Sequence, residues 1–298
     1  MLQAAASAAG AQHYPPGALY VVATPIGNLA DITLRAIHVL ALVDAVACED
    51  TRHSAPLLRQ LGIEGKTLIA VHGHNEREAA TGVLLRLARG ERVAYVSDAG
   101  TPAVSDPGAA LVAAVQAAGY RALPVPGASS AVAAISVAGD VLGNAFEFTG
   151  FLPPKGGERA LSLKRLAANP NSQVVFEAPH RIDSLAASLA EAIGTRRLTV
   201  CRELTKQFET VHTLLAGELV AWLAADANRS RGEFVLVVHA QPAAVDDSAA
   251  AAHDATLHTL LAALPLKQAV GLAVELTGAP RNALYERALA LKNGADVD

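Results

Sequence analysis

Short apolar runs alternate with amphipathic stretches between residues 18 and 136, and this alternation constrains the fold more than any other feature of the chain. Five of the runs have the length and composition of buried strands: LYVVA, AVAC, LIAV, VAYV and ALPV. Strands that alternate with helices predict a parallel sheet covered on both faces. We therefore expect an α/β domain with a parallel sheet at residues 18–127.

The pattern changes after Gly143, where the predicted strands become longer and more aromatic. They read EFTGF, QVVFEA, LTVCREL, ETVHTLLA and EFVLVVHA, with helical segments between them. Because ETVHTLLA follows LTVCREL after only a few residues, part of this sheet should be antiparallel. The sequence predicts a second α/β domain with a mixed sheet at residues 128–240.

The two ends of the chain differ from this body. Residues 1–17 are rich in alanine and carry no Lys or Arg, so we expect a disordered tail and neither a signal nor a transit peptide. Residues 241–253 predict a linker. Residues 254–298 predict helices, with Pro265, Pro280 and Gly278 at helix ends. Two of these helices resemble a helix-turn-helix that contacts RNA, and a helical hairpin packed on the body is the alternative.

Composition excludes some classes of protein. The longest apolar stretch, ASSAVAAISVA, is far shorter than the roughly 20 residues of a membrane span. Two cysteines are too few for a disulfide framework, and both lie in apolar runs, so we expect a soluble cytoplasmic protein with buried, reduced thiols. A net charge of −4 argues against a surface that coats nucleic acid nonspecifically. Residues 151–210 nevertheless hold nine Lys and Arg against six acids, which favours a local phosphate-binding surface.

Several common motifs are missing. The sequence has no G-x-G-x-x-G and no G-x-S-x-G, and the G-K-T at Gly65 lacks the first glycine of a P-loop. No cluster of Cys or acidic ligands stands near the pair His72-x-His74 in sequence, so we expect no metal site. Dinucleotide binding and nucleotide hydrolysis therefore lose their main support.

Three loops rich in Gly, Pro, Ser and Thr each follow a predicted strand of the first domain: ATPIGNLAD, SDAGTPAVSDPG and VPGASSAVAA. Glycine allows close approach of the backbone to a ligand, and short hydroxyl side chains supply hydrogen bonds. Each loop alone is consistent with an ordinary tight turn, but the three together favour one binding cleft. Since none of them contains Lys or Arg, the ligand should not be held by phosphate contacts to their side chains.

These loops, together with DAVACEDTRHS, FTGFLPPKG, VVFEAPHRI and CRELTKQFE, resemble the small-subunit ribosomal RNA methyltransferase I group of the tetrapyrrole methylase superfamily. The resemblance covers about residues 19–238. It implies two α/β domains that bind S-adenosylmethionine between them, and 2′-O-methylation of a cytidine ribose in the decoding region of the small-subunit ribosomal RNA. The implied partner is that RNA or the assembled small subunit, and the implied assembly is a homodimer.

The resemblance also implies which residues contact S-adenosylmethionine. They come from the three loops and from the end of QVVFEA: Pro25, Gly100, Thr101, Ala103, Val104, Ser129, Ser130 and Phe176. In tetrapyrrole methylases the second loop commonly reads G-D-P, whereas this chain has Gly100-Thr101-Pro102. The acidic residue is therefore absent at that position.

A ribose 2′-hydroxyl is a weak nucleophile, so a general base should assist methyl transfer. The candidates are carboxylates at predicted strand ends, namely Glu49, Asp50 and Glu177, and the sequence does not choose among them. Polar and cationic side chains near the same strand ends are candidates for substrate binding: Arg52, His74, Asn75, Glu76, Lys155, His180, Arg181, Arg202 and Lys206.

The sequence is also consistent with two other functions. A tetrapyrrole methyltransferase would keep the fold but would have no C-terminal RNA-contacting segment. A non-enzymatic RNA-binding or ribosome-assembly protein would keep the cleft only as a scaffold. Binding of S-adenosylmethionine separates the enzymes from the scaffold.

Overall fold

The computed structural model describes residues 1–73, 75–242 and 253–294, with side chains as far as Lys292. Residues 1–240 form one compact unit, and the described residues that follow belong to a second. The first unit contains two five-stranded sheets. This confirms the predicted fold class of two α/β sheets, whereas the division into two domains between residues 127 and 128 stays a prediction.

The first sheet is parallel throughout, as predicted, with the strand order β3-β2-β4-β1-β5. Its strands are short, and the three central ones are buried on both faces, which is typical of parallel sheets, whereas the two edge strands are partly exposed. Their bounds are β1 (Ala18–Val22), β2 (Ala45–Cys48), β3 (Thr67–Ala70), β4 (Val93–Val96) and β5 (Arg121–Val125).

Five helices cover this sheet: α1 (Leu2–Ala9), α2 (Leu34–Leu42), α3 (Thr51–Gln60), α4 (Glu76–Ala88) and α5 (Ala109–Ala117). Apolar residues of α1, α2 and α3 share one core cluster with the sheet, whereas α4 and α5 contribute to another. Side-chain caps define two of the helix starts, since Thr33 accepts from the backbone of α2 and Asp50 from that of α3.

The expected disordered tail at residues 1–17 is wrong. Helix α1 packs against α2, where Ala5 and Ala9 are buried. The Tyr14 hydroxyl donates to the Ala9 carbonyl, and the Tyr14 ring lies against that of His38. Alanine has the highest helix propensity, and burial of its methyl group against α2 stabilises a helix that composition alone does not reveal.

The second sheet has the order β6-β7-β10-β8-β9, with one parallel pair, β6 with β7, and three antiparallel pairs. The predicted mixed sheet and the antiparallel pairing of β8 with β9 are confirmed. Its strands are β6 (Phe146–Phe151), β7 (Ser172–Glu177), β8 (Arg197–Arg202), β9 (Thr210–Leu215) and β10 (Phe234–Val238). Its helices are α6 (Ser130–Ala138), α7 (Gly156–Ala168), α8 (Ile182–Ile193) and α9 (Leu219–Ala224).

Helix α6 joins the two sheets. It begins at the end of the loop after β5, where the Ser129 side chain caps it, and its buried alanines pack on the second sheet against Val174, Cys201 and Val237. Helices α7, α8 and α9 share the other large core cluster of this sheet. Both cysteines are buried and free, as the sequence predicted.

The order of the first sheet explains why three loops meet. Strands β4, β1 and β5 are neighbours and run parallel, so the loops that follow them leave the same edge side by side. These are the three loops rich in Gly and Pro. Their convergence follows from strand order, which the sequence pattern does not show.

The second unit, as far as it is described, contains α10 (Asp254–Ala263), α11 (Leu266–Thr277) and α12 (Arg281–Gly294). The three helices share a small apolar core. Gly278 ends α11 in the left-handed region at φ 69°, which confirms its predicted role as a helix cap. Arg287 pairs with Asp254 at 2.7 Å and so ties α12 to α10. Among the described residues, no helix has both the length and the hydropathy to traverse a bilayer.

Candidate cofactor and substrate site

Hydrogen bonds hold the three loops together. Thr24 and Gly100 exchange two backbone hydrogen bonds, of 2.9 and 3.0 Å, which join the first loop to the second. The Thr101 hydroxyl donates to the Ala128 carbonyl at 3.0 Å and joins the second loop to the third. Gly100 has φ 77° and lies close to Ile26, so a side chain there would be strained and crowded. The loops therefore form one preorganised wall.

A cavity of about 350 Å³ lies between this wall and the second sheet, and we call it the apolar cavity. Its size is at the lower end of the range for small-molecule sites. The three loops contribute Ile26, Ala99, Gly100, Thr101, Val104, Ser105, Asp106, Ser129 and Ser130. The second sheet and its loops contribute Phe151, Phe176, Glu177, Ala178, Pro179, Cys201, Leu204, Glu233, Phe234 and Val235.

Six of the eight predicted cofactor contacts line the apolar cavity: Gly100, Thr101, Val104, Ser129, Ser130 and Phe176. Pro25 lines a neighbouring cavity instead. Ala103 lines neither of these two cavities and adopts φ 66°. Phe176 is held edge-on by Phe148 and Phe151, with ring centroids 5.0 and 5.6 Å away, so it presents a fixed aromatic surface.

Asp106 is a cavity residue that sequence reasoning did not single out. The second loop lacks an acid at Thr101 but supplies one five residues later, in Ser105-Asp106-Pro107-Gly108. Burial raises the Asp106 pKa to about 6, with its bond to Ser97 acting in the opposite direction. The second loop contains this acid, but a comparison with the family's G-D-P at Gly100-Thr101-Pro102 alone does not reveal it.

The second loop and the loop after β8 carry backbone strain. Ala103, Ser105, Glu203 and Thr205 have φ between 51° and 66°, and they are the only non-glycine residues with positive φ in the part of the chain that the structure describes. Both loops contribute to the apolar cavity. Left-handed conformations of ordinary residues cost free energy and concentrate at ligand sites, so this placement favours a functional cavity.

Glu177 has one buried oxygen without a hydrogen-bond partner. Its Oε1 accepts from the Ala178 backbone at 2.9 Å and pairs with Arg181 Nε at 2.9 Å. Its Oε2 is buried and has no partner, although the residue lines the apolar cavity. A buried, unpaired carboxylate oxygen is costly, and a donor on a bound ligand would relieve that cost.

A second cavity of about 390 Å³, which we call the polar cavity, adjoins the first. It is lined by the first loop, by α3 along its length from His53 to Gln60, by part of the second loop, and by Lys206 with Glu233. Ile26, Ala99 and Glu233 line both cavities. The two cavities therefore meet along these residues.

The strand end at Glu49 and Asp50 lies beside the polar cavity. The Asp98 backbone approaches Glu49 Oε2 at 3.5 Å, and the Asp50 backbone donates to Asp98 Oδ1 at 3.1 Å. Asp50 pairs with Arg52 at 2.6 Å, and this hydrogen bonding lowers the Asp50 pKa to about 2. Burial raises the pKa of Glu49. Neither acid lines either cavity.

The two cations of CRELTK have different surroundings. Arg202 is 9% exposed, and its guanidinium donates to the carbonyls of Arg231 and Phe208. It stabilises the end of β8 and lines neither the apolar nor the polar cavity, and its role as an RNA contact stays a prediction. Lys206 lines the polar cavity and pairs with Glu203 and Glu233 at 2.9 Å each, and these partners raise its pKa against the opposing effect of burial.

The remaining predicted substrate contacts are scattered. Asn75 and Glu76 serve the fold, because Asn75 closes the turn after β3 and Glu76 accepts from the Gly108 backbone at 2.6 Å. Lys155 and His180 are exposed outside both cavities. Arg181 pairs with Glu177 and donates to the Leu152 carbonyl. His74 lies outside the described residues.

The predicted basic surface of residues 151–210 is smaller than its charge count suggests. Arg159 and Arg196 are buried, as Arg202 is, and their guanidinium groups donate to backbone carbonyls. Exposed cations remain at Lys155, Lys164, Arg165 and Arg197. Charge counting treats every arginine as a surface group, and here three of them are structural.

Comparisons with known proteins show the family of this chain. Residues 18–220 match the family model for tetrapyrrole (corrin/porphyrin) methylases, and residues 247–292 match the model for the RsmI C-terminal HTH domain. The chain is 49% identical to ribosomal RNA small subunit methyltransferase I of Neisseria meningitidis serogroup A, over 93% of this chain and 94% of the relative. The corresponding protein of Escherichia coli O157:H7 is 46% identical over 92% of this chain and 95% of its own length.

A solved structure shares the fold. Uroporphyrin-III C-methyl transferase from Thermus thermophilus, complexed with S-adenyl homocysteine, superimposes with a TM-score of 0.52 at 20% identity. The match covers 74% of this chain and 97% of that chain. At this identity the likeness shows the fold alone.

Proposed function

Because this chain belongs to the tetrapyrrole methylase family, and within it to the ribosomal RNA small subunit methyltransferase I group, we propose that it methylates small-subunit ribosomal RNA with S-adenosylmethionine. The proposed acceptor is the 2′-oxygen of a cytidine ribose in the decoding region. The family relationship supports the RNA substrate. The apolar cavity supports the methyl donor.

The unpaired Oε2 of Glu177 is the observation that carries the cofactor proposal. S-adenosylmethionine has a sulfonium, an ammonium, ribose hydroxyls and an adenine amino group, which supply positive charge and hydrogen-bond donors. The cavity is lined by Asp106, Glu177 and Glu233 but by no Lys or Arg among the described residues. Such a lining favours a cationic ligand and disfavours a phosphate.

The walls of the cavity suit the rest of the cofactor. Phe176 and Val235 provide apolar surface for the adenine ring, and Ser129 and Ser130 provide hydroxyl groups on the opposite wall. When bound, S-adenosylmethionine supplies an activated methyl group, so the protein contributes mainly alignment of donor and acceptor. Rigid loops joined by hydrogen bonds serve that purpose.

The RNA would contact exposed cations and the C-terminal helices. Lys155 lies at the start of α7, in an exposed loop, and is the proposed phosphate contact nearest in sequence to Phe151 of the cavity. Helix α12 carries Arg281, Asn282 and Tyr285, whose side chains suit RNA, whereas Arg287 is engaged by Asp254. The proposed homodimer remains a prediction.

The test combines binding and activity. Calorimetry should detect S-adenosylmethionine binding to the purified full chain, and labelled cofactor should transfer its methyl group to small subunits that lack the modification. Digestion to nucleosides should recover the label on a cytidine ribose. Absence of cofactor binding would overturn the proposal. Label on a base or on a tetrapyrrole would contradict the proposed acceptor, the ribose 2′-oxygen.

Cofactor binding should weaken as the pH falls. Because burial raises the Asp106 pKa to about 6, its carboxyl is mostly ionised at pH 7 and mostly protonated at pH 5. Loss of that negative charge should lower the affinity for the cationic cofactor by about tenfold between these pH values. Calorimetry across this pH interval measures the effect.

The matched variant is Asp106→Asn, which keeps the shape and cannot ionise. It should bind more weakly at neutral pH and should lose most of the pH dependence. An Asp106→Asn protein with the same pH dependence as the parent would show that another group is responsible.

A further inference from the structure

The polar cavity contains a paired histidine and aspartate that the cofactor proposal does not use. His53 lies in the first turn of α3, directly after β2, and Asp98 follows β4 at the start of the second loop. Strands β2 and β4 are neighbours in the sheet, which brings the two side chains together at its edge. His53 Nδ1 lies 2.8 Å from Asp98 Oδ2.

Asp98 is fixed from both sides. Its Oδ1 accepts from the Asp50 backbone at 3.1 Å, and its Oδ2 contacts the imidazole. A carboxylate at Nδ1 keeps the proton on that nitrogen, so the neutral imidazole presents Nε2 as an acceptor. The His53 side chain is 65% exposed and lines the polar cavity, so its ring is accessible to a large substrate.

The position of the pair suits an acceptor that meets the cofactor from the neighbouring cavity. Ile26 and Ala99 line both cavities, and Asp98 directly precedes Ala99 in the loop. A nucleotide in the polar cavity would therefore lie beside a cofactor in the apolar cavity. RNA is too large for an enclosed site, which fits the open and polar character of this one.

We propose that His53 is the general base for the methyl transfer and that Asp98 is its positioning residue. This proposal rests on the proposed function. The 2′-hydroxyl proton passes to Nε2 of neutral His53, the oxygen lone pair forms the bond to the methyl carbon, and the electron pair of the broken carbon–sulfur bond remains on sulfur. The imidazole gains one positive charge as the sulfonium loses one.

The other acids are less suited to this role. Asp50 is held by Arg52, which keeps its pKa at about 2 and makes it a weak base. Glu177 and Asp106 line only the apolar cavity, where they face the proposed cofactor. Of the titratable groups that line the polar cavity, Lys206 and Glu233 pair with each other, and Asp98 is engaged by the imidazole. His53 contributes the nitrogen that is basic near neutral pH.

Charged groups around His53 determine its titration. Its hydrogen bond and charge interaction with Asp98 raise the His53 pKa and Asp50 acts in the same direction, whereas desolvation and the charge of Arg52 oppose them. Lys206 and Glu233 line the same polar cavity. Since the neutral form is the base, activity should rise with pH through the His53 pKa. Removing the Asp98 charge should lower that pKa and move the rise to lower pH.

The test uses His53→Gln and Asp98→Asn in the full chain, with small ribosomal subunits as substrate. His53→Gln should lower kcat by roughly 10²- to 10⁴-fold, the usual contribution of a general base. Its affinity for S-adenosylmethionine should stay within about twofold of the parent. Asp98→Asn should lower kcat less and should shift the pH profile to lower pH. NMR titration of the His53 ring in Asp98→Asn, without substrate, should show a lower His53 pKa than in the parent. His13→Gln, an exposed histidine in the N-terminal segment, is the matched control.

The outcomes separate this proposal from the proposed function. If the parent protein neither binds the cofactor nor methylates RNA, the proposed function fails. If the parent is active and His53→Gln keeps its kcat, only the assignment of the base fails.

A bound metal ion is the alternative explanation for this cluster. One carboxylate oxygen or ring nitrogen from each of Asp50, His53 and Asp98 lies within 4.8 Å of the others, so binding of Zn²⁺ and Mn²⁺ is tested by calorimetry. If the parent binds such a metal ion and His53→Gln abolishes the binding, the proposal that His53 and Asp98 form a general base with its positioning residue is contradicted.

Discussion

Replacement of Arg196 by alanine should lower the free energy of unfolding by about 3 kcal/mol or more, whereas replacement of its neighbour Arg197 should change it by less than about 0.5 kcal/mol. Arg196 is 3% exposed and Arg197 is exposed, although they are adjacent in sequence. Because both variants replace an arginine by alanine, the difference in their stability reports the effect of burial. Urea unfolding of both variants measures the difference.

The expected loss comes from backbone groups that Arg196 satisfies. Its guanidinium donates to the carbonyls of Asn169 at 2.8 Å, Asn171 at 2.7 Å and Leu166 at 3.3 Å, and its Nε donates to the carbonyl of His239. These carbonyls belong to the last turn of α7, to the connection between α7 and β7, and to the residue that follows β10. Alanine would leave a cavity and unpaired acceptors. Equal stability of Arg196→Ala and Arg197→Ala would show that water replaces the guanidinium at no cost.

Replacement of Gly108 by alanine should lower both stability and cofactor affinity. Gly108 has φ 125°, and a Cβ there would lie 2.2 Å from Cε1 of the fully buried Tyr95 ring. The Tyr95 hydroxyl donates to the Pro107 carbonyl at 2.7 Å, and Glu76 accepts from the Gly108 backbone at 2.6 Å. The loop cannot move without breaking these bonds, so we expect a loss of about 2–3 kcal/mol in stability.

The same substitution should weaken cofactor binding by about tenfold or more, because Asp106 lies two residues away and small displacements of a site are costly. Gly82→Ala is the matched control, since Gly82 lies on the exposed face of α4 and an added methyl group would meet no other atom within 4 Å. It should stabilise the protein by up to about 1 kcal/mol. Thermal unfolding and calorimetry on both variants test the contrast, and normal cofactor affinity of Gly108→Ala would contradict the role of the loop.

Much of the fold was predictable because it depends on local patterns. Short apolar runs such as VAYV, separated by amphipathic stretches, indicate parallel strands and helices without knowledge of their order. The close spacing of β8 and β9 similarly indicates an antiparallel pair. The N-terminal helix was missed because an alanine-rich segment that ends in Pro15, Pro16 and Gly17 was interpreted as a tail, and its stability depends on packing against α2.

The candidate site was predictable only in part. Gly100, Thr101 and Ser129 lie in the loops that the sequence singles out, and these loops do converge on one cavity. The roles of Arg202 and His53 were not accessible, since the first depends on burial under backbone carbonyls and the second on a partner 45 residues away in sequence. The separation of two residues along the sequence does not indicate the distance between their side chains in the folded structure.

The sequence by itself determined the class of the two sheets, the loops that line one cavity and the family. The sheets and loops follow from residue types and short-range periodicity in consecutive residues, whereas the family follows from the resemblance of long motifs. Only the tertiary structure decided which charged side chains are available for chemistry. Strand order places Asp98 against His53, whereas burial directs Arg196 and Arg202 to backbone carbonyls. A charged group acts through its neighbours and its exposure, and both are set by contacts between distant parts of the chain.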